Sequence, residues 1–200
     1  MRSKRRAYVE RWWLHMEPRP GMRRALGGLS RYIGTPKVTK HRLFVWLPAE
    51  TLADQQIIVF ARADDYTFGV LHSRVHEKWA RGMGTQLREV ESGFRYTPTT
   101  CFETFSFPRP TPEQREEIAE AARELDRLRC GWLDPEGWSE GEKKSRTLTN
   151  LYNQRPAWLA DVHDRLDRAV LAAYGWPQDI ADDGLLACLL ELNRERADPS

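Results

Sequence analysis

At 200 residues with 40% hydrophobic and 30% charged content, the chain can bury one good core, or a medium domain with a smaller appendage, and this apolar share excludes general disorder. No apolar run of about 18 residues occurs and the basic start lacks a signal-type apolar stretch, so neither a membrane partner nor export is expected and the expected location is cytoplasmic. The net charge of +2 conceals an asymmetry: residues 1–46 carry twelve Lys or Arg against Glu10 and Glu17, leaving about −8 on the remainder.

The basic front end is therefore expected to seek a polyanion, against the alternative of a solvated arm or one that binds an acidic patch of its own chain. In chain order, AYVERWWLHM has the pattern of a short helix before the breaks EPRPGMRR and GG. HRLFVWLP reads as a strand apolar on both sides and ended by Pro48. QQIIVFAR and TFGVLHS read as two further strands of an antiparallel sheet, turned at Ala63-Asp64-Asp65. Ser73 caps a helix over SRVHEKWARGMG, with Val75, Trp79 and Met83 on one face.

The block Phe94 to Pro108, FRYTPTTCFETFSFP, holds aromatics and threonines with one acid and no histidine, and its alternation predicts a strand entered at Pro98. Thr111 and Pro112 then start a helix whose apolar residues Ile118, Ala121, Ala122, Leu125 and Leu128 share a face. A polar loop with Pro135, Gly137 and Gly141 follows, then helices around PAWLADVHDRLDRAVLAAYGW and DDGLLACLLELNRER. The expected class is α+β, a small antiparallel sheet followed by a helical C-terminal region, with a boundary near Pro108 to Pro112.

Self-sufficient chemistry is hard to find. His72 and His76 have the i, i+4 spacing of a metal pair, but Ser73 stands where a zinc hydrolase helix carries Glu, and packing histidines are the expected reading. Asp134, Glu136, Glu142 and Lys144 echo a magnesium nuclease cluster, but a solvated Gly-rich and Pro-rich loop accounts for them. No GxSxG elbow, Walker loop or GxGxxG occurs, and no cysteine has a nucleophile setting; Cys101, Cys130 and Cys188 are isolated, which also excludes a disulfide framework or CxxC knuckle. The constellation that remains is basic and aromatic: Lys37, Lys40, His41 and Arg42 before one strand, and Arg74, Lys78 and Arg81 on the helix face away from Trp79. A solvated cationic surface is the plain alternative.

RYIGTPKVTKHRLFVWLP, IIVFARADDYTFGVLHSRVHEKWARGMG and FRYTPTTCFETFSFP, in that order, resemble the target-recognition region of MmeI-like, type IIL restriction-modification DNA methyltransferases. IAEAARELDRLRCGWLDP, TLTNLYNQRPAWL, LDRAVLAAYGWP and GLLACLLELNRERA resemble the C-terminal part of the same enzymes, so the resemblance runs from about Arg19 to Ala197. It implies a basic segment over 1–30, a DNA target-recognition domain over 31–110 and a helical domain over 111–200. One departure is local: Ser106 stands where the family block carries its first proline.

Adenine methylation with S-adenosylmethionine is what the resemblance implies for the whole enzyme. Its catalysis needs a Gly-rich cofactor turn and an (N/D/S)PP(Y/F/W) loop that holds a flipped adenine. Neither string occurs here, so the chain is expected to be a catalytically incompetent recognition part, with no cofactor of its own, that binds double-stranded DNA. Arg31, Lys37, Lys40, Arg42, Arg74, Arg81 and Arg95 are the expected DNA contacts, with Tyr96 and Thr97 as groove or supporting groups. The alternatives are an interaction subunit whose helical half docks on a separate methyltransferase or nuclease chain, a truncated remnant, and an autonomous nuclease around Glu142 and Lys144.

Overall fold

The computed structural model describes residues 19–86 and 93–197, and the helix expected in AYVERWWLHM lies outside them. Pro20 opens α1 (Pro20–Leu26), where its missing N–H costs nothing. Next come β1 (Arg31–Pro36), β2 (Val38–Thr39), β3 (Val45–Pro48) and β4 (Ile57–Phe60). The first sheet has the antiparallel order β3-β1-β4, with Ile33 opposite both Trp46 and Phe60. Its central strand did not stand out in the sequence, because Gly34, Thr35 and Pro36 look like turn residues. Gly34 is there for close approach: a Cβ would sit 2.7 Å from Leu47 Cδ1 on the neighbouring strand.

The strand expected over TFGVLHS is a helix, α2 (Asp65–His72), whose first turn is capped by the Asp64 carboxylate accepting from the Thr67 N–H. Every residue from Tyr66 to His72 is buried. A helix buried on all sides shows no amphipathic period, so a short apolar run reads equally as strand. Ser73 ends α2 and caps α3 (Arg74–Met83), donating to the Val70 carbonyl and accepting from the His76 N–H. Val75 and Trp79 of α3 are buried as the spacing requires.

A second antiparallel sheet, order β2-β6-β5, joins β2 to β5 (Thr85–Gln86) and β6 (Phe94–Arg95). The strand expected from Pro98 to Pro108 does not form, and the block FRYTPTTCFETFSFP gives a strand only at Phe94 and Arg95, before that proline. Pro98 instead starts a single turn, α4 (Pro98–Cys101), since its fixed φ suits the first helical position. Beyond it, Phe102, Phe105 and Phe107 pack edge to face in irregular chain.

The second half is α5 (Pro112–Leu133), α6 (Glu140–Lys143), α7 (Leu148–Gln154), α8 (Ala157–Tyr174) and α9 (Asp182–Ala197). A reciprocal capping box between Thr111 and Gln114 starts α5. The change of composition near Pro108 is no gap in the packing. One apolar cluster joins Tyr66, Val70, Val75, Trp79 and Phe105 to Ile118, Leu125, Leu151, Leu166 and Leu189 of the helices. The opposite faces of α2 and α3 (Phe68, Leu71, Ala80) pack on Ile33, Phe44 and Phe60 of the sheet side. The class is α+β, and the helical half forms the back wall of the sheet half. Among the described residues, no helix is long and apolar enough to cross a membrane.

Candidate functional site

The histidines are structural polar groups in the core. His72 and His76 are 6% and 0% exposed, and all four ring nitrogens are engaged. His72 Nδ1 bonds the Phe68 carbonyl at 3.0 Å, and its Nε2 accepts from the Phe44 N–H and from Arg129 at 2.8 Å. His76 Nδ1 bonds the Leu71 carbonyl and its Nε2 accepts from the Tyr96 hydroxyl at 3.0 Å. Burial holds His72 well below its ordinary value and His76 down at about 3, so both are neutral acceptors.

Two expected DNA contacts turn inward. Arg42 is 6% exposed; it donates to Thr35 Oγ1 at 3.1 Å, to the Pro36 carbonyl, and to the Phe94 carbonyl at 3.2 Å, and so stitches β1 to β6. Desolvation lowers it to about 10, and it lies 4.7 Å from the Phe94 ring and 4.9 Å from Tyr96. Tyr96 is buried beneath the same ribbon. The sequence places both residues beside strands, Arg42 within the basic stretch; only the tertiary fold aims them inward.

Two others hold the frame. The Arg31 guanidinium lies 3.8 Å over the Trp46 ring and donates to Asp65 Oδ1 at 2.7 Å. Arg74 donates from its N–H to Asp167 at 2.6 Å and from Nη2 to the Ile180 carbonyl at 2.9 Å, tying α3 to α8 and to the segment that leads into α9. Lys78 pairs with Asp182 on α9.

The rest gather on one ribbon. Val38 of β2 and Thr85 of β5 flank Arg95 of β6, which is exposed, with Lys37 and Lys40 on either side of β2 and Thr97 two residues beyond Arg95. Arg81 is exposed, bonds Glu77 at 2.9 Å and lies 5.1 Å from the Phe94 ring. Among the described residues neither Lys37 nor Arg95 has an acid within ion-pair distance. Beneath them Phe94, Tyr96, His76 and Arg42 form a fully packed floor. The arrangement presents a cationic surface on a rigid base.

Beside this ribbon a cleft of about 380 Å³ separates the sheet half from the helices and is lined by His41, Arg74, Lys78, Tyr152, Arg155 and Asp167, among others. Burial raises Asp167 to about 6. Sequence reasoning singled out none of Arg155, Arg129 and Asp167, which carry no motif. Three of the acids after α5 are occupied: Glu142 accepts from the Ser139 N–H at 2.7 Å, and Lys143 pairs with Asp134 and Glu140. Among the described residues no group of three His, Cys, Asp or Glu could hold a metal.

A sheet half with a solvent-facing basic ribbon has the character of a recognition surface. Residues 36–109 match the family model described as the target recognition domain of MmeI. A relative is DNA methyltransferase A of Bacillus subtilis (strain 168), 32% identical over 149 residues, which are 74% of this chain and 15% of that protein. The solved type IIL restriction-modification enzyme MmeI, in complex with DNA, superimposes with a TM-score of 0.69 at 22% identity over 84% of this chain and 22% of its own. The chain thus spans only 15% and 22% of the lengths of these two proteins. The family resemblance read from the sequence is met by each comparison.

Proposed function

We propose that this chain is the DNA-recognition portion of an MmeI-like adenine-specific methylation system and binds duplex DNA through the β2-β6-β5 ribbon, in the cytoplasm. The observation that carries this is the clustering of Lys37, Lys40, Arg81 and Arg95 over a buried floor, within the residues that match the recognition domain. Arg95 and Thr97 are the best placed for a groove, and Lys37 and Lys40 for phosphates. Methyl transfer from S-adenosylmethionine belongs, in this reading, to a catalytic domain carried elsewhere.

Fluorescence anisotropy on a labelled duplex tests the reading. About five phosphate contacts give a log–log slope of affinity on salt near −4 to −5. Binding that ignores salt, or none at low salt, overturns it.

A further inference from the structure

The cleft between the two halves has an excess of cations, and one of them has an unusual backbone. Arg155, at the end of α7, sits at φ 42° and ψ 62°, a left-handed conformation that an L side chain adopts at a cost and that Gly or Asn meets with less strain. Its N–H closes the helix on the Leu151 carbonyl at 2.8 Å, which any residue there would do. Its side chain is exposed, lines the cleft, and has no acid within ion-pair distance among the described residues. Strain held at a position whose side chain does nothing for the fold points to a task outside it.

The neighbouring charges narrow the task. Lys40 Nζ and His41 Nε2, both from the sheet half, converge on the same Asn153 Oδ1, at 3.0 and 2.9 Å, two residues before Arg155. Across the cleft Arg74 and Lys78 share the single carboxylate of Asp182, and Glu77 is engaged by Arg81. Lys40, just after β2, and Arg155, just after α7, therefore meet at one rim, and among the described residues neither has an acid within ion-pair distance. We infer that Arg155, with Lys40 and His41, forms a phosphate-binding rim, so that the helical half contributes directly to gripping the DNA backbone. The inference rests on the duplex-binding reading above. It adds a contact from outside the residues that match the recognition domain, and it assigns Arg155 to phosphate, since a guanidinium on a cleft rim meets backbone oxygens before any base edge.

Salt-dependent anisotropy on the full chain with a labelled duplex decides the matter, comparing wild type, Arg155→Gln, Arg155→Gly and Arg194→Gln, the last being an exposed arginine on the far helix. Arg155→Gln and Arg155→Gly are expected to weaken binding about 3- to 10-fold at physiological salt, alike for every duplex sequence, and to reduce the log–log slope by about 0.9, with Arg194→Gln unchanged. Arg155→Gly is further expected to melt at the same temperature as wild type or higher, because it releases the left-handed strain. Wild-type binding of normal salt dependence with both Arg155 variants unchanged overturns this inference alone. Absence of salt-dependent binding by wild type overturns the duplex-binding reading and the inference with it.

Discussion

The Tyr96 hydroxyl donates to His76 Nε2 at 3.0 Å, joining the strand that carries Arg95 to the helix α3 beneath it. The ring and the imidazole are both buried, so this bond fixes the height of the ribbon above the core. Tyr96→Phe keeps the packing but leaves a buried imidazole nitrogen without a donor, which costs about 1–3 kcal/mol. Urea denaturation is expected to show that loss while duplex affinity well below the melting temperature changes less than about twofold. A large affinity loss in a folded Tyr96→Phe chain would mean that Tyr96 itself touches DNA.

Arg42 and Arg95 are both arginines expected to touch DNA, yet they are expected to behave oppositely. Arg42→Met removes the donors that serve Thr35, Pro36 and Phe94 and orphans buried carbonyls, for a destabilisation of about 3 kcal/mol or more. Arg95→Ala lies on the exposed side of β6 and is expected to alter stability by less than about 0.5 kcal/mol while weakening duplex binding. If Arg95 reads a base, the loss is about 1–3 kcal/mol for the preferred sequence alone; if it meets phosphate, all sequences weaken alike. Thermal melts and anisotropy on the two variants separate the roles.

What the sequence disclosed, and what it hid, follows the physics of each element. The helices α3 and α5 were legible because one face is buried and one exposed, and because Ser73 and Thr111 announce their starts. The helix α2 was not, because burial on every side erases the period. FRYTPTTCFETFSFP misled for a related reason: its alternating rings pack in irregular chain against several partners, which mimics a pleat without making one. The basic character of the site was legible, whereas the direction of each arginine was not. Arg42 and Arg95 differ only in which neighbours the fold sets above them.

The continuous core makes the helical half indispensable. A chain ending at Pro110 uncovers Tyr66, Val70, Val75, Trp79 and Phe105, which the helices otherwise bury. It is expected to lose cooperative unfolding and to bind hydrophobic dye, the behaviour of a collapsed state without fixed packing. Gly69→Val probes the same contact in the full chain: a Cβ there already lies 2.9 Å from Ile118 Cγ2 and 3.1 Å from Ala122 Cβ, so added methyls force α2 from α5 at about 1–3 kcal/mol or more. A sharp two-state transition in the shortened chain would show the sheet half to be an independent unit.

Acid is expected to unfold the protein through its histidines. Burial holds His76 at about 3 and His163 at about 4, and places His72 well below its usual range. In the unfolded chain all three titrate near about 6.5. As pH falls below that value the unfolded state takes up protons that the folded state refuses, so stability falls, by roughly 2 kcal/mol per histidine at pH 5. Asp167 opposes this. Its carboxyl is raised to about 6 by burial, with the Arg74 N–H and charge pulling down and Asp164 and Glu77 pushing up, so the folded state protonates first and regains roughly 1 kcal/mol by pH 5. Three groups outweigh one, and urea denaturation from pH 8 to 5 is expected to show a falling midpoint below about pH 6.5. Asp167→Asn keeps an acceptor for the Arg74 N–H and removes the buried charge. It is expected to exceed wild type in stability above pH 6 and to lose stability more steeply below it. A wild-type midpoint that stays flat from pH 7 to 5 would require these imidazoles to be protonated within the fold, against a network in which the Nε2 atoms of His72 and His76 act as acceptors.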